Sequence, residues 1–359
     1  MSAEALLQSP AASLVFLYSR MPPYLPVQLR ALMATERVNS IDVVHWDGGD
    51  SRGNRYVPES IEGVTYHSRS AFDNNGLLAL LRHARPAITY VSGWMDRGYL
   101  SALRRFKMEA LTRVVAGVDD QWHGSFRQLT GSVIVRVLLR GLIDVMWVAG
   151  APQRVYAQHF GYTGERVIPN LLSADVDRFA NLQPGLRKRF LFLGRFDSVK
   201  GLNVLVDAYT RLPSATQKGW SLELVGDGPL RGKLAEGVAS TGITLRPYLQ
   251  PAELPVLLAH GGVGCFPSQH EQWGVAIHEL AAAGFPLLLS DACGAGTEFL
   301  IHGHNGFRFP VGDVPRLATA MQAMAEMSET MRSLWGARSR ELARRITPEL
   351  SAASLLSLM

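Results

Sequence analysis

The sequence predicts an α/β protein with two domains, each built on a parallel sheet covered by helices. Length is the first observation, because 359 residues are too many for one ordinary hydrophobic core. Composition is the second: 47% apolar and 19% charged residues are typical of a folded globular chain. The third is that short apolar runs alternate with helical patterns, which favours parallel strands buried on both faces.

Composition also bears on where the protein works. No apolar run of about 18 residues is present, so we expect no membrane-spanning helix. Residues 1–10 include Glu4 and no basic cluster ahead of a long apolar core, so we expect no secretory signal. Two cysteines, Cys265 and Cys293, define no disulfide framework. The expected location is the cytoplasm, with peripheral contact on the inner face of the membrane as an option.

The charge excludes a strongly basic domain. The formal charge of +5 is shared between both halves, so we expect no nucleic-acid partner. One cluster of cations in the first half could face an anionic membrane surface. A solvated helix face is the simpler explanation of the same residues. The cluster consists of Arg97, Arg104, Arg105 and Lys107.

In the first half, apolar runs predict five strands, at residues 14–18, 41–46, 87–91, 113–116 and 145–149. Ligands of parallel sheets collect at the carboxyl ends of the strands. Polar and aromatic residues cluster just after the third and fourth runs, at residues 92–96 and 117–123. A second ligand, such as the acceptor of a transferred group, could therefore enter at this edge of the first sheet.

The second half centres on a strand-to-helix turn between two glutamates. Residues 263–266 form an apolar run and helical spacing begins at Gly274, which places Glu271 on the loop and Glu279 in the helix. The rise between the glutamates is roughly 12 Å, comparable to a nucleotide sugar from hexose to ribose. The carboxylates would accept hydroxyl hydrogen bonds, and free N–H groups near Gly274 and Val275 would bind a diphosphate. On spacing alone, helix caps and solvated glutamates are favoured instead.

Two cations follow the first strand of this half. Residues 190–201 predict a buried strand, a glycine turn and the approach to a helix, with Arg195 and Lys200 beside the strand end. A pyrophosphate needs its charge neutralised both in binding and as it leaves. Taken alone, the two side chains are equally well explained as surface cations.

Other turns of the second half offer weaker signals. Residues 222–229 predict a strand and a turn in which Gly226 permits close approach of backbone to a ligand. Glu298 follows a later strand, in the first turn of another helix, where a glutamate is also ordinary. Asp175 and Asp177 match a common divalent-metal pattern, but no other feature supports a metal site.

Together these stretches resemble the retaining glycosyltransferases of family four, which have the GT-B fold. Glu271 and Glu279 match the glutamate-seven-residues-glutamate signature of that family, and Arg195 and Lys200 match its glycine-arginine and lysine-glycine pairs. The resemblance covers most of residues 167–313. It implies two Rossmann-like α/β domains whose parallel sheets face a central cleft.

The resemblance also implies a domain plan. Residues 1–165 would form an N-terminal Rossmann-like acceptor domain, and residues 166–330 a C-terminal Rossmann-like nucleotide-sugar domain. Helices in residues 331–359 would cross back to the N-terminal domain. Residues 182–188, with Pro184 and Gly185, have a composition typical of a linker.

The function implied by the resemblance is retaining transfer of a hexose from a nucleotide diphosphate sugar to an acceptor hydroxyl. The setting would be envelope polysaccharide or glycolipid assembly, with a saccharide or lipid-linked saccharide as acceptor. Neither a metal nor a cofactor is expected, and the donor would be UDP- or GDP-linked.

The resemblance assigns roles to the donor residues. Glu279 would hold the ribose hydroxyls, Glu271 the sugar, and Arg195 with Lys200 the departing diphosphate. The nucleotide base would bind near the Gly226 turn and the segment 246–249. The remaining donor-binding residues are Tyr248, Trp273, Gly274 and Val275.

Two positions depart from the family pattern. Residues 19–23, with a proline pair, stand where the family has two glycines, so a rigid turn is expected instead of a phosphate contact. Where many relatives have a histidine after a strand, this chain has Asp119. We predict Asp119 as the acceptor-side catalytic residue, with Asp120 and His123 as substitutes. The alternative is that Asp119 caps the next helix.

His270 and His278 flank the two glutamates. We expect local hydrogen-bonding roles for both histidines rather than general-base roles.

Two other functions stay open: a catalytically degenerate GT-B subunit that scaffolds a partner enzyme, and a nucleotide-sugar epimerase. Retention of both glutamates and both cations favours the transferase.

Overall fold

The computed structural model describes residues 11–47, 58–183, 185, 187–238 and 242–359. These residues form two compact units. The first includes residues 11–47, 58–172 and 348–359, and the second includes the described residues from Ser173 to Thr347. Residues 1–10, for which no secretory signal is expected, and Pro184 of the predicted linker lie outside the described residues.

The first unit contains a parallel seven-stranded sheet in the order β3-β2-β1-β4-β5-β6-β7. The strands are β1 (Ala12–Tyr18), β2 (Val38–His45), β3 (Val64–Ser68), β4 (Ile88–Val91), β5 (Arg113–Val118), β6 (Val145–Val148) and β7 (Val167–Ile168). Five helices lie in the described connections that follow β1, β3, β4, β5 and β6; they are α1 (Leu25–Met33), α2 (Asn74–Ala84), α3 (Arg97–Glu109), α4 (Phe126–Leu138) and α5 (Ala151–His159).

The core of the first unit lies on both faces of this sheet. Leu14 and Val15 are fully buried, as expected for a strand covered on both sides. The hydroxyl of Tyr99 on α3 donates to the carbonyls of Tyr18, at 3.1 Å, and Val44, at 3.3 Å. These bonds join α3 to the carboxyl ends of β1 and β2, which is the edge where ligands are expected.

The second unit contains a parallel six-stranded sheet in the order β10-β9-β8-β11-β12-β13. The strands are β8 (Arg189–Leu193), β9 (Ser221–Val225), β10 (Thr244–Arg246), β11 (Val263–Phe266), β12 (Leu287–Ser290) and β13 (Gly306–Phe309). The helices are α6 (Val176–Ala180), α7 (Leu202–Thr210), α8 (Ser214–Gly219), α9 (Arg231–Val238), α10 (Leu254–Leu258), α11 (Val275–Ala282), α12 (Gly296–Phe299), α13 (Val314–Glu326) and α14 (Glu329–Ala343). The last helix, α15 (Pro348–Leu356), belongs to the first unit.

A buried charge cluster holds the second sheet together. Arg189 on β8 donates to Glu223 on β9 at 2.8 Å, and to the carbonyls of Gly261 at 2.6 Å and Leu257 at 2.7 Å. Arg187 and Arg246 also contact the Glu223 carboxylate. A buried ion pair is tolerated when hydrogen bonds satisfy both partners, as they do here.

The predicted α/β class with parallel sheets is confirmed. The described part of the predicted linker is bonded into the second unit, because the Gly185 N–H donates to Ala259 and the Arg187 N–H to His260. Among the described residues, no helix combines the length and the apolar character needed to cross a membrane.

Candidate functional site

Two loops at the carboxyl edge of the second sheet lie against each other. One follows β8 and carries Lys200, and the other follows β11 and carries Glu271. The N–H groups of Gln269 and His270 donate to the Val199 carbonyl, at 2.8 and 3.2 Å. Gly201 has a φ of 65°, and a Cβ there would lie 2.2 Å from the Pro267 carbonyl oxygen. Only glycine therefore allows this contact between the loops.

Lys200 and Glu271 form an ion pair at this contact. The Lys200 Nζ donates to Glu271 Oε2 at 2.6 Å, and the Ser268 hydroxyl donates to the same oxygen at 3.3 Å. Their side chains are only 20% and 12% exposed. The Gly294 N–H fixes the Glu271 backbone from the loop after β12, at 3.1 Å. The sequence predicted both side chains in the donor site but not their pairing.

The α11 helix begins directly after this loop. Gly274 has a φ of 102°, and a Cβ there would lie 2.8 Å from Ile277 Cδ1 and 3.1 Å from Glu271 Cγ. Within the part of the chain that the structure describes, no side chain caps this helix by a hydrogen bond. The first N–H groups of a helix lack intrahelical acceptors, so the start of α11 at Val275 can bind an anion.

Glu279 lies on the second turn of α11 and is partly exposed. Burial raises the pKa of its carboxyl to about 7, opposed by Arg178 and reinforced by Asp175. These two residues form an ion pair of 2.9 Å on α6, where Asp175 also caps the helix. Glu279 therefore changes charge near neutral pH, which makes any ligand that prefers its ionised form sensitive to pH.

His278 is a buried structural residue. Its Nδ1 accepts from the Ala174 N–H at 3.0 Å, and its Nε2 lies 2.9 Å from the Ala343 carbonyl, which requires the proton on Nε2. The ring stacks on Phe299 with a centroid distance of 4.1 Å. Burial lowers the pKa of His278 to about 4. These contacts agree with the expected hydrogen-bonding role.

Trp273 anchors the loop after β11 in the core of the second unit. Its side chain is buried and packs edge-on against Phe299, with ring centroids 6.0 Å apart. Its carbonyl accepts from the Ala295 N–H at 2.9 Å. Its Nε1 has no hydrogen-bond partner among the described residues. Glu298, on α12, is partly exposed.

The turns after β8 and β9 are also in contact. Gly226 has a φ of 150°, and a Cβ there would lie 1.8 Å from the Gly194 carbonyl oxygen. Arg231 Nη1 donates to the carbonyls of Gly226, at 2.9 Å, and Arg246, at 3.2 Å. Arg231 was not predicted as a site residue, although the sequence shows a cation in the first turn of the helix that follows this glycine turn. It holds together the two segments expected to form the base pocket.

Arg195 and Tyr248 lie on the same edge of the second sheet. Arg195 Nε is 3.4 Å from Asp197 Oδ2 in its own loop. Tyr248 follows β10 and is partly exposed. Their donor-binding roles, like those of the other predicted residues, stay predictions. The predicted donor residues of this half lie on the loops that follow β8, β9, β10 and β11 or, for Val275 and Glu279, in the first two turns of α11.

This half of the chain also matches a known family. Residues 187–327 match the family model described as "Glycosyl transferases group 1". They form a group 1 glycosyltransferase domain. Glycogen synthase of Mycobacterium tuberculosis is 30% identical over 140 residues, or 38% of this chain and 33% of that protein. Across the curated relatives it matches, the chain spans between 33% and 54% of their length.

Solved structures resemble the chain over nearly its whole length. Sucrose-phosphate synthase from Thermosynechococcus elongatus has a TM-score of 0.75 and 17% identity, covering 96% of this chain and 98% of that one. Anabaena HepE, solved with UDP and glucose, has a TM-score of 0.74 and 16% identity, covering 97% and 100%. The predicted GT-B fold of two Rossmann-like domains is confirmed.

The glycosyltransferase domain is preceded by the unit that carries Asp119. This residue follows β5 directly, and Gln153 Nε2 donates to its carbonyl at 3.0 Å. Burial and the neighbouring Asp120 raise the pKa of the Asp119 carboxyl. The next helix, α4, is capped by Ser125 and not by Asp119. The helix-capping alternative for Asp119 is therefore wrong, and its catalytic role stays a prediction.

Tyrosine side chains near Asp119 were missed by the sequence analysis. The rings of Tyr18 and Tyr90 are 5.1 Å apart. Burial raises the pKa of Tyr18, Tyr24 and Tyr90, with a contribution from the Asp119 charge in each case. Tyr18 is the last residue of β1, so inspection of strand ends could have found it.

The remaining polar clusters of the first unit have structural roles. Ser92 Oγ accepts from the Ser19 N–H at 2.9 Å, which fixes the loop after β1. Asp96 caps α3 and accepts from Arg69 at 2.9 Å and from Trp46 at 2.8 Å. Burial alone would raise the pKa of Asp96, but the hydrogen bonds together outweigh burial, so the pKa is lowered.

The predicted cation cluster on α3 is mostly bonded to protein. Arg104 donates to the Leu138 carbonyl at 3.0 Å, Arg105 to Asn75 at 2.9 Å, and Lys107 to Asp144 at 2.5 Å. Arg97 is exposed at the start of the helix. Three of the four cations are therefore bonded within the first unit, and contact of this cluster with a membrane surface stays a prediction.

Proposed function

We propose that the protein is a retaining glycosyltransferase that moves a hexose from a nucleotide diphosphate sugar to an acceptor hydroxyl. The observation that carries this proposal is the Lys200–Glu271 ion pair beside the uncapped start of α11. A cation, a carboxylate and free N–H groups converge there, at the strand edge where nucleotides bind in Rossmann-like domains. The group 1 glycosyltransferase domain at residues 187–327 supports the same reaction class.

Each donor residue has a role in this proposal. The N–H groups at Gly274 and Val275 and the cations Arg195 and Lys200 would bind the diphosphate and stabilise its charge as it leaves. Glu271 would accept from the sugar hydroxyls, sharing its oxygens with Lys200. Glu279, one turn further along α11, would accept from the ribose hydroxyls. UDP is the proposed nucleotide, because HepE has the same fold and was solved with UDP and glucose.

The chemistry would proceed on one face of the sugar. As the bond to the diphosphate breaks, the positively charged sugar is attacked from the side that the phosphate leaves, and that phosphate takes the acceptor proton. The configuration at the reacting carbon is therefore kept. Asp119, whose pKa is raised by burial, would orient the acceptor hydroxyl from the first unit. We propose a saccharide or lipid-linked saccharide as the acceptor, in envelope polysaccharide or glycolipid assembly.

Thermal unfolding with added nucleotides tests the donor site. UDP, GDP, ADP and TDP are compared with and without magnesium, for the wild type, Glu279→Ala, and the exposed control Glu236→Ala on α9. Saturation to about 100 Kd stabilises a folded protein by roughly 2.7 kcal/mol, a shift of several degrees. The expected result is a shift with UDP, independent of metal, that is lost only in Glu279→Ala.

Product analysis separates the reaction classes. Transfer of the hexose from the stabilising donor to a saccharide, with retained configuration, supports the proposal. Isomerised donor in the absence of any acceptor would instead identify an epimerase. If no nucleotide stabilises the wild type, the transferase proposal is rejected in favour of the scaffolding subunit.

A further inference from the structure

The α4 helix of the first unit presents its apolar side to solvent. Six of its side chains, here called the apolar face of α4, are between 50% and 81% exposed. The helix packs on the unit through Ser132, which is buried, and Val135. A surface helix ordinarily turns its apolar stripe towards the core, so α4 is inverted. The apolar face consists of Phe126, Leu129, Val133, Ile134, Val137 and Leu138.

These side chains form one continuous stripe. Phe126, Leu129, Val133 and Val137 follow one another at intervals of three and four residues, so each lies above the previous one along the helix. Ile134 and Leu138 widen the stripe on one side. Single exposed apolar residues need no explanation, but a contiguous stripe over the full length of a helix marks an interaction surface.

Exposed cations accompany the stripe. The ionisable residues in 126–140 are Arg127, Arg136 and Arg140, and the segment contains no aspartate or glutamate. All three arginines are exposed. At about 100° per residue, Arg127 lies on the side of Ile134 and Leu138, and Arg136 lies on the opposite side next to Leu129. Arg140 follows the end of the helix at Leu138. Arg104 reaches the same end of the helix from α3, at the Leu138 carbonyl.

We propose that the apolar face of α4 docks onto an anionic lipid surface, with its stripe among the acyl chains and its arginines at the headgroups. Bulky apolar side chains flanked by arginines, without acidic residues, are typical of helices that lie in a membrane interface. A second copy of the chain fits less well, because two such faces would bring six arginines together. A nucleic acid would leave the apolar stripe without a partner.

This surface is joined directly to the predicted acceptor loop. Gln128 on α4 donates through Nε2 to the Gln121 carbonyl at 2.7 Å and accepts from the His123 N–H at 2.8 Å. The loop from Asp119 to Ser125 is therefore fixed to the first turn of α4. If the proposed function holds, docking brings this loop to the lipid interface, where a lipid-linked acceptor presents its hydroxyl. Docking itself does not depend on that function.

Vesicle co-sedimentation of the full chain tests the proposal. The probes are phosphatidylcholine vesicles and vesicles that also contain phosphatidylglycerol, without donor or acceptor. The test variant carries Val133→Asp and Val137→Asp. The control variant carries Val155→Asp and Val256→Asp, which change the net charge equally at exposed positions outside α4. We expect the wild type and control to bind anionic vesicles alike, and the test variant to bind about tenfold or more weakly.

A second variant separates charge from apolar contact. Replacing Arg127 and Arg140 by Gln should weaken binding to anionic vesicles about fivefold for each arginine at low salt. Equal binding by the wild type and the Val133→Asp/Val137→Asp variant, or no binding by the wild type, would overturn the proposal. So would concentration-dependent dimerisation that the same variant abolishes. UDP-induced stabilisation measured on these variants reports the donor site separately, so loss of one property does not imply loss of the other.

Discussion

Nucleotide binding should strengthen with pH because of Glu279. The carboxyl has a pKa of about 7 in the ligand-free protein, since burial disfavours its charge. Ribose hydroxyls donate hydrogen bonds, so the proposed ligand favours the ionised carboxylate. About one tenth of the carboxyls are ionised at pH 6 and about nine tenths at pH 8. The dissociation constant should therefore fall about tenfold over this range, equivalent to roughly 1.4 kcal/mol.

The residues around Glu279 set the size of this effect. Arg178 lowers the pKa of Glu279 and Asp175 raises it, and the two are paired with each other on α6. His278 is adjacent in sequence, but burial keeps it neutral above about pH 5, because its pKa is about 4. The charge of His278 therefore does not change between about pH 6 and pH 8.

Isothermal titration with UDP between about pH 6 and pH 8 measures the effect. The phosphate of the nucleotide also titrates, so the informative quantity is the difference between the wild type and Glu279→Gln, which keeps the nucleotide's own contribution. Glu236→Gln is the exposed control. Between these two pH values, we expect the affinity for UDP to increase about tenfold more in the wild type than in Glu279→Gln. Because binding to the wild type releases protons, its measured binding enthalpy should vary with the ionisation enthalpy of the buffer. Identical pH profiles for both proteins would refute the role of Glu279 in binding.

The same carboxyl affects stability without nucleotide. Because its folded pKa lies above the ordinary value of 4.5, the folded state holds its proton more tightly than the unfolded state. This contribution is complete below about pH 4.5 and is lost as the pH rises through about 7, with an upper limit of roughly 3 kcal/mol. Urea unfolding of the wild type should show this loss relative to Glu279→Gln. A parallel pH dependence in the two proteins would contradict the raised pKa.

Three further substitutions test particular contacts. Lys200→Ala should lower kcat about 10²-fold, which is the scale of losing one charge-stabilising donor. The exposed control Lys233→Ala should leave kcat unchanged. An unchanged kcat in Lys200→Ala would exclude Lys200 from diphosphate stabilisation. Asp119→Asn should lower kcat and remove one step from its pH profile, and full activity would rule out an acid–base role. Glu223→Gln should cost about 3–5 kcal/mol in urea unfolding, because Arg189 loses its buried counter-charge; a loss near zero would show that the carbonyls alone satisfy that arginine.

The sequence predicted the central strands well for a physical reason. Strands covered on both faces, such as β1 and β11, contain runs of buried residues without polar side chains, and these runs contrast with their surroundings. β3 was missed because it lies at the sheet edge and alternates apolar and polar residues. β7 was missed because two residues form no detectable pattern. Periodicity therefore identifies the sheet interior better than its edges.

The candidate site was only partly predictable for a different reason. The strand-end rule located Lys200 and Glu271, but their hydrogen bond joins residues 71 positions apart and depends on how two loops fit together. Arg231 was missed because its contacts are with carbonyls of other turns. The inversion of α4 could not be predicted, since helical periodicity shows that an apolar stripe exists but not which way it faces.

The position of α15 affects the order in which the protein can fold during synthesis. This helix packs on α1, and Gln28 of α1 donates to Ser351 of α15 at 3.0 Å. The first unit therefore lacks a cover for α1 until residues 348–356 have left the ribosome, by which time the whole second unit is available to fold. Domains ordinarily complete folding in the order of their synthesis. Here the unit that begins first is completed last, and nascent chains paused before residue 348 should expose the apolar side of α1 to chaperones.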